Sequence, residues 1–140
     1  IIRQGEPALM VCHWPGIYCN GQETGFRIFQ QAVLRLRAGY DNLIWMKLSE
    51  IARYWAAREL TRIDRGTNAI SFQAPFACPQ FTIRLSGPFT TIPRLAIGNG
   101  SAPLQEVSQP LKLTAGTWTR QAAGIVVCFD LPKGASSLEL

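Results

Sequence analysis

The chain has 140 residues, 47% of them hydrophobic, and a formal net charge of +5. That length suits one ordinary domain or two small ones, and the apolar content is ample for a core, which excludes a disordered chain. No apolar run approaches the roughly 20 residues needed to cross a bilayer, and no charged stretch followed by an apolar one opens the chain, so neither a membrane partner nor a secretion signal is expected. The opening residues, Ile1-Ile2-Arg3, carry no initiator methionine and imply a chain trimmed or excised from something longer.

In chain order, Ala8 to His13 is an apolar run of strand length, closed by the turn formers Trp14-Pro15-Gly16. A helix is expected next, with Asn20 and Glu23 spaced like a capping box and Phe26, Phe29, Val33 and Leu36 forming one face. Arg35 and Arg37 suit the negative end of its dipole, and Gly39 suits its C-cap. Leu43 to Met46 reads as a second short strand. Ser49 is placed to cap a second helix, with Glu50 in its first turn and Ile51, Tyr54, Trp55 and Leu60 as the buried stripe. Strands apolar on both faces and joined by helices belong to parallel sheets. Two of them cannot bury one another, so this part is expected to be the tail of a larger α/β sheet or to recruit partners. The helical arginines Arg27, Arg35, Arg37, Arg53, Arg58 and Arg62 are interspersed with acidic residues, as on solvated helix faces. Polyanion binding therefore rests on net charge alone and nucleic acid is not expected as a partner.

Near Asp64 the helical period stops. Beyond it, short runs of β-formers recur at about 8- to 12-residue spacing, punctuated by Gly, Pro, Ser and Thr, which predicts an antiparallel β-sandwich of about seven strands. Phe81, Ile83 and Leu85 share one face by two-residue alternation, as do Ile125, Val127 and Phe129. Pro93 marks its strand as an edge. "IGNGSAP", Ile97 to Pro103, lacks a strand-to-helix context and reads as a turn, not a phosphate loop. The expected domains are 1–64, an α/β segment, and 65–140, the sandwich.

The four cysteines allow three pairings, none favoured by spacing. Cys12 and Cys128 lie within apolar runs and read as small buried hydrophobes, while Cys19 and Cys78 lie in loop-like stretches. With no C-x-x-C, zinc held by these cysteines is not expected. Trp45 and Trp55 are expected in the core. Trp118, between threonines, fits either a sugar-stacking platform or a core or interface position.

His13, the single histidine, ends the first predicted strand. Barrel enzymes place their chemistry at such strand ends, and imidazole titrates near neutrality. A loop histidine bonded only to backbone is the alternative.

The order "PALMVCHWPGIYCNGQETGFRIFQQAVLRL" followed by "YDNLIWMKLSEIARYW" resembles the closing part of the polysaccharide deacetylase (NodB-homology, carbohydrate esterase) family. The resemblance runs from about Gly5 to Arg62. It implies the last strand-helix-strand-helix of a distorted (β/α) barrel, here with an appended sandwich. It gives His13 the role of general acid, protonating the departing amine after metal-bound water attacks the acetamide carbonyl. Trp14 stands where an acidic residue is common in the family, and its indole could stack on a sugar ring. The family's divalent metal, such as zinc, is held by an aspartate and a His-x-x-x-His pair from earlier strands, which one histidine cannot supply; Asp41, Asp64 and Asp130 do not resemble its paired aspartates. The resemblance thus implies that the chain alone is inactive and that a longer protein is a metal-dependent hydrolase of N-acetylated sugars. Its partner would be the rest of its own barrel, or another copy of the chain. The alternative function is a noncatalytic β-sandwich module for carbohydrate binding or oligomerisation.

Overall fold

The computed structural model describes residues 2, 6–41 and 43–140; Ile1 and Gly5, where the expected first domain and the family resemblance begin, lie outside them. The chain divides into two compact units, Ile1–Met46 and Lys47–Leu140. The compact division thus falls upstream of the change of sequence pattern at Asp64.

In the first unit, α1 (Trp14–Ile17) is a single turn, started by Pro15, whose fixed φ suits a helix N-terminus. The chain then reverses through Asn20 and Gly21, at φ 51° and 75°. Cys19 and Gln22 exchange backbone hydrogen bonds of 3.1 and 2.9 Å across this turn. Asn-Gly with both φ values positive is the signature of a type I′ reversal. Asn20 is therefore a turn residue and not a helix cap; Glu23 takes the N-cap of α2 (Thr24–Gly39). Gly25 in α2 has no room for a side chain, because a Cβ there would collide with the Gly16 carbonyl. Phe26, Val33 and Leu36 do share a half-buried face, but no residue of α2 is fully buried.

Neither Ala8–His13 nor Leu43–Met46 forms a strand. The expected two parallel strands are corrected here, and the physical reason lies in the same pattern that suggested them. A strand is held by the ladder of a neighbour, and two short isolated runs have no sheet to join. Their apolar side chains stay open instead: Val11 is 84% and Ile44 82% exposed.

The second unit begins with α3 (Leu48–Leu60), capped by Lys47 rather than Ser49. The Glu50 carboxylate accepts the Lys47 backbone N–H at 2.7 Å, so the acidic first turn serves the helix terminus as its position suggested. Nine strands follow: β1 (Arg62–Arg65), β2 (Ala69–Ala74), β3 (Cys78–Ser86), β4 (Arg94–Ile97), β5 (Gly100–Pro103), β6 (Gln105–Glu106), β7 (Thr117–Gln121), β8 (Gly124–Leu131) and β9 (Gly134–Glu139). They make a five-stranded sheet ordered β1-β2-β9-β4-β5 and a four-stranded sheet ordered β3-β8-β7-β6. Every pairing is antiparallel except the short β6–β7. No α-helix occurs after Leu60; the one helical turn is the 3-10 segment Pro110–Lys112.

The two alternating sets meet as cross-strand pairs: Phe81 opposite Phe129, Ile83 opposite Val127, and Leu85 opposite Ile125. Phe129 is fully buried and meets Phe81 edge-on at 6.0 Å and Phe72, from the other sheet, at 5.3 Å. Ile70, Phe72 and Leu138 complete the opposing layer. The helix joins this core through Ala57, fully buried, and Tyr54, whose ring lies 5.9 Å from Phe81.

Three details differ from the sequence expectation. Pro93 precedes β4, and β4 lies between β9 and β5, so its strand is not an edge. Of the expected stripe on α3, Tyr54 does pack against the core, but Trp55 and Leu60 are 56% and 62% exposed because Ala57, not they, shares that inward face. Trp45, 53% exposed, is likewise outside any core, since the strand meant to bury it does not form. The turn expected in "IGNGSAP" is the two-residue β4–β5 hairpin, with Gly98 at φ 56° in the first central position, which a type II′ turn gives to glycine.

Truncating Phe129 removes the ring that joins the sheets. Phe129→Ala should lower the stability of the second unit by about 3–5 kcal/mol, read as a fall in the urea midpoint. Phe29→Ala, on the open face of α2, should leave that midpoint unchanged.

Candidate functional site

His13 occupies the N-cap of α1, with extended backbone at φ −97° and ψ 146°. Its carbonyl accepts the Gly16 and Ile17 N–H groups at 2.9 and 3.3 Å, while its side chain makes no capping bond and is exposed. Trp14 beside it is 72% exposed. The indole leans on Tyr18 at 4.8 Å, and Tyr18 stacks on Phe26 at 6.0 Å. Adjacent imidazole and indole therefore stand open to solvent on an aromatic ladder. The strand expected beneath His13 is absent, and the short helix holds it in position instead.

The carboxylates are dispersed. Asp41 is exposed. Asp64 accepts from the Arg62 guanidinium at 2.9 Å. Asp130 accepts the Gln80 N–H at 2.9 Å, where Gln80 sits at φ 52° within the β3 register shift, a structural task. Among the described residues no three His, Cys, Asp or Glu side chains converge. Among the described residues, no grouping matches the metal ligands that the family resemblance implies.

Trp118 is fully buried in the sandwich, which removes the stacking-platform alternative. The Arg120 guanidinium lies 4.8 Å from its ring centroid and donates to the Phe89 carbonyl at 2.8 Å, with Glu106 at 3.2 Å. This group closes one end of the core by cation–π contact and charge pairing.

All four cysteines are free thiols, and the expected pattern is half reversed. Cys128 is buried as expected, but Cys12 is exposed, and Cys78 is buried at the start of β3 rather than in a loop. Burial pushes both the Cys78 and Cys128 thiols up, against opposing effects of Arg53 on the first and the Thr82 hydroxyl on the second. Raised thiols are poor nucleophiles at neutral pH. These two are packing groups.

A second feature had no single motif to announce it. The outer face of the five-stranded sheet carries a trough of about 580 Å³. Ser71 and Gln73 of β2 and Ala135 and Ser137 of β9 form its floor, with Ala96 of β4 beside them. Arg62 and Asp64 of β1 wall one side. Beyond the floor lies a second charged group, in which the Arg94 Nε donates to Ser101 Oγ at 3.1 Å and Ser101 Oγ donates to Glu139 at 2.8 Å. The signal in the sequence is the alternation of small polar residues with buried ones, as in Ile70-Ser71-Phe72-Gln73, but it becomes a surface only once four strands are in register.

No protein-family model matches the chain, and neither a curated protein nor a solved structure matches it.

The raised thiols set a pH dependence. The native state holds both protons more tightly than the unfolded chain, so this stabilisation is complete below the ordinary thiol pKa and is lost as pH rises through the raised native values. The urea midpoint should stay level to about pH 8 and fall above it. Cys128→Val should shrink that fall.

Proposed function

We propose that this chain is the closing segment of a polysaccharide-deacetylase-like hydrolase, joined to a β-sandwich accessory unit. The observation that supports this reading most is the distribution of uncovered apolar side chains. Val11, Ile44, Trp45 and Met46 are exposed in the two runs that have strand composition but no strand neighbours. Helix α3 uses one face, through Tyr54 and Ala57, for the sandwich core, yet Leu48 and Trp55 on another face are 62% and 56% exposed. In each unit, large apolar side chains left uncovered in this way mark places where further polypeptide packs. Neighbouring strands of a barrel would supply the ladders the two runs lack, and a barrel's outer layer would cover the free face of α3.

In that setting His13, at the end of its run, donates a proton to the amine leaving an N-acetylated sugar, and Trp14 offers the sugar a stacking surface. The chain contributes the proton donor and the platform, and the attacking group comes from elsewhere in the longer protein.

Residues 1–46, excised, should show no cooperative thermal transition, since their apolar side chains have no core to enter; a sharp two-state melt would overturn the reading. In a polypeptide that carries this chain behind the earlier barrel strands, His13→Ala should reduce turnover of an N-acetylated oligosaccharide roughly 10²- to 10⁴-fold. Metal affinity and KM should change little. Full activity in that variant would remove His13 from the chemistry.

A further inference from the structure

We propose that the trough on the outer face of β1, β2, β9 and β4 is a binding groove for a neutral, hydroxyl-rich glycan chain. This goes beyond the hydrolase reading and does not rest on it, because it concerns only groups in the second compact unit.

The shape comes first. An exposed sheet face normally carries long side chains that cover the backbone with their stems. Here the central positions are Ser71, Ser137, Ala135 and Ala96, and Gln73 is the longest side chain between the two charged walls. In register, Asp64, Ser71, Ser137 and Ala96 form a continuous row across four strands. Three strand spacings separate the ends of that row, about 14 Å. The result is a trough long enough for a short run of sugar units, not a pit for a single small molecule.

The charges select the ligand. Arg62 is paired with Asp64 at 2.9 Å and Arg94 lies 3.7 Å from Glu139, so the two cations and two anions balance. A polyanion would find each guanidinium already matched by a carboxylate, and the chain's +5 charge is not expressed on this face. A nucleic-acid strand would find no aromatic ring among the exposed floor residues on which to stack a base. A protein partner would find no aromatic or aliphatic anchor among them, the element that carries most interface energy. What the face does offer is side-by-side donors and acceptors: guanidinium with carboxylate at each wall, and two hydroxyls and an amide between. Vicinal sugar hydroxyls, each both donor and acceptor, match that arrangement.

The test uses the whole chain and short soluble cello- and N-acetylchito-oligosaccharides, followed by amide chemical-shift mapping and calorimetry. Saturable binding is expected, with shifts centred on Ser71, Gln73, Ala135 and Ser137. Ser137→Arg, which fills the floor from an outward position, should weaken it about tenfold or more, and Gln73→Ala should weaken it less. Both variants should keep the native melting temperature. Phe29→Ala, on α2, should leave this binding intact. No binding to either oligosaccharide would overturn the proposal. So would binding that survives Ser137→Arg but disappears in Trp14→Ala, since the sugar would then sit on the first unit. Salt-sensitive binding of dextran sulfate at these residues would replace the neutral ligand with an anion, and a dimer abolished by Ser137→Arg would make the face an interface between copies. None of these outcomes bears on His13, whose role is read from turnover in the longer protein.

Discussion

The contact between Phe72 and Phe129 is the constraint on which the second unit depends. It joins one sheet to the other, and Phe81 on β3 and Tyr54 on α3 are positioned from it in turn. The strand that carries Phe129, β8, pairs with β3 on one side and β7 on the other, so fixing its register fixes the whole four-stranded sheet. Two local devices protect that register. Gly124 starts β8 at φ 154°, where any Cβ would collide with the Leu85 carbonyl. Near the other end, Asp130 satisfies the N–H of Gln80 and so stabilises the irregular turn of chain that lets Cys78 rejoin the ladder opposite Leu131. A slip of one residue in β8 would turn Phe129 toward solvent and Asp130 toward the core.

This dependence explains which features were legible from residues alone. Two-residue alternation is a local property, and it located Phe81, Ile83, Leu85, Ile125, Val127 and Phe129 on the faces they occupy. Helix α3 was legible in extent but not in orientation. Its sequence is apolar on more than one side, and the choice of Tyr54 and Ala57 over Trp55 and Leu60 was made by the sandwich it packs on. Pro93 was misjudged for a related reason. The residue lies before the ladder begins, where its carbonyl still accepts the Leu104 N–H at 2.9 Å, so its missing donor costs the sheet nothing.

The first unit shows the converse. The sequence suggests Asn20 as a helix cap, but the positive φ at both Asn20 and Gly21 makes the pair a type I′ turn. Ala8–His13 and Leu43–Met46 have the composition of strands, but strand formation is not a local property: it requires a neighbour's hydrogen bonds. His13 stands out in the sequence because a polar group at the end of an apolar run is conspicuous. Its exposure beside Trp14 follows from the Pro15 helix start, which turns the chain just after it. The trough was not found because none of its residues is conspicuous. Ser71, Gln73, Ala135 and Ser137 are unremarkable singly, and they become a surface through pairing across 66 positions of sequence, from Ser71 to Ser137.

The two proposed sites make compatible demands on a ligand. An N-acetylated sugar is uncharged, and loss of the acetyl group leaves an amine that is cationic at neutral pH. A groove with surplus carboxylates would hold that amine more tightly than the acetylated sugar and so retain the protein on deacetylated polymer. The outer face of the five-stranded sheet balances Asp64 and Glu139 with Arg62 and Arg94 and has no such surplus. Its neutral hydrogen-bonding floor of Ser71, Gln73 and Ser137 gains nothing from a new positive charge. If both proposals hold, charge balance would let the accessory unit grip a chain before and after loss of the acetyl group with similar strength, leaving movement along the polymer unhindered by the new amine.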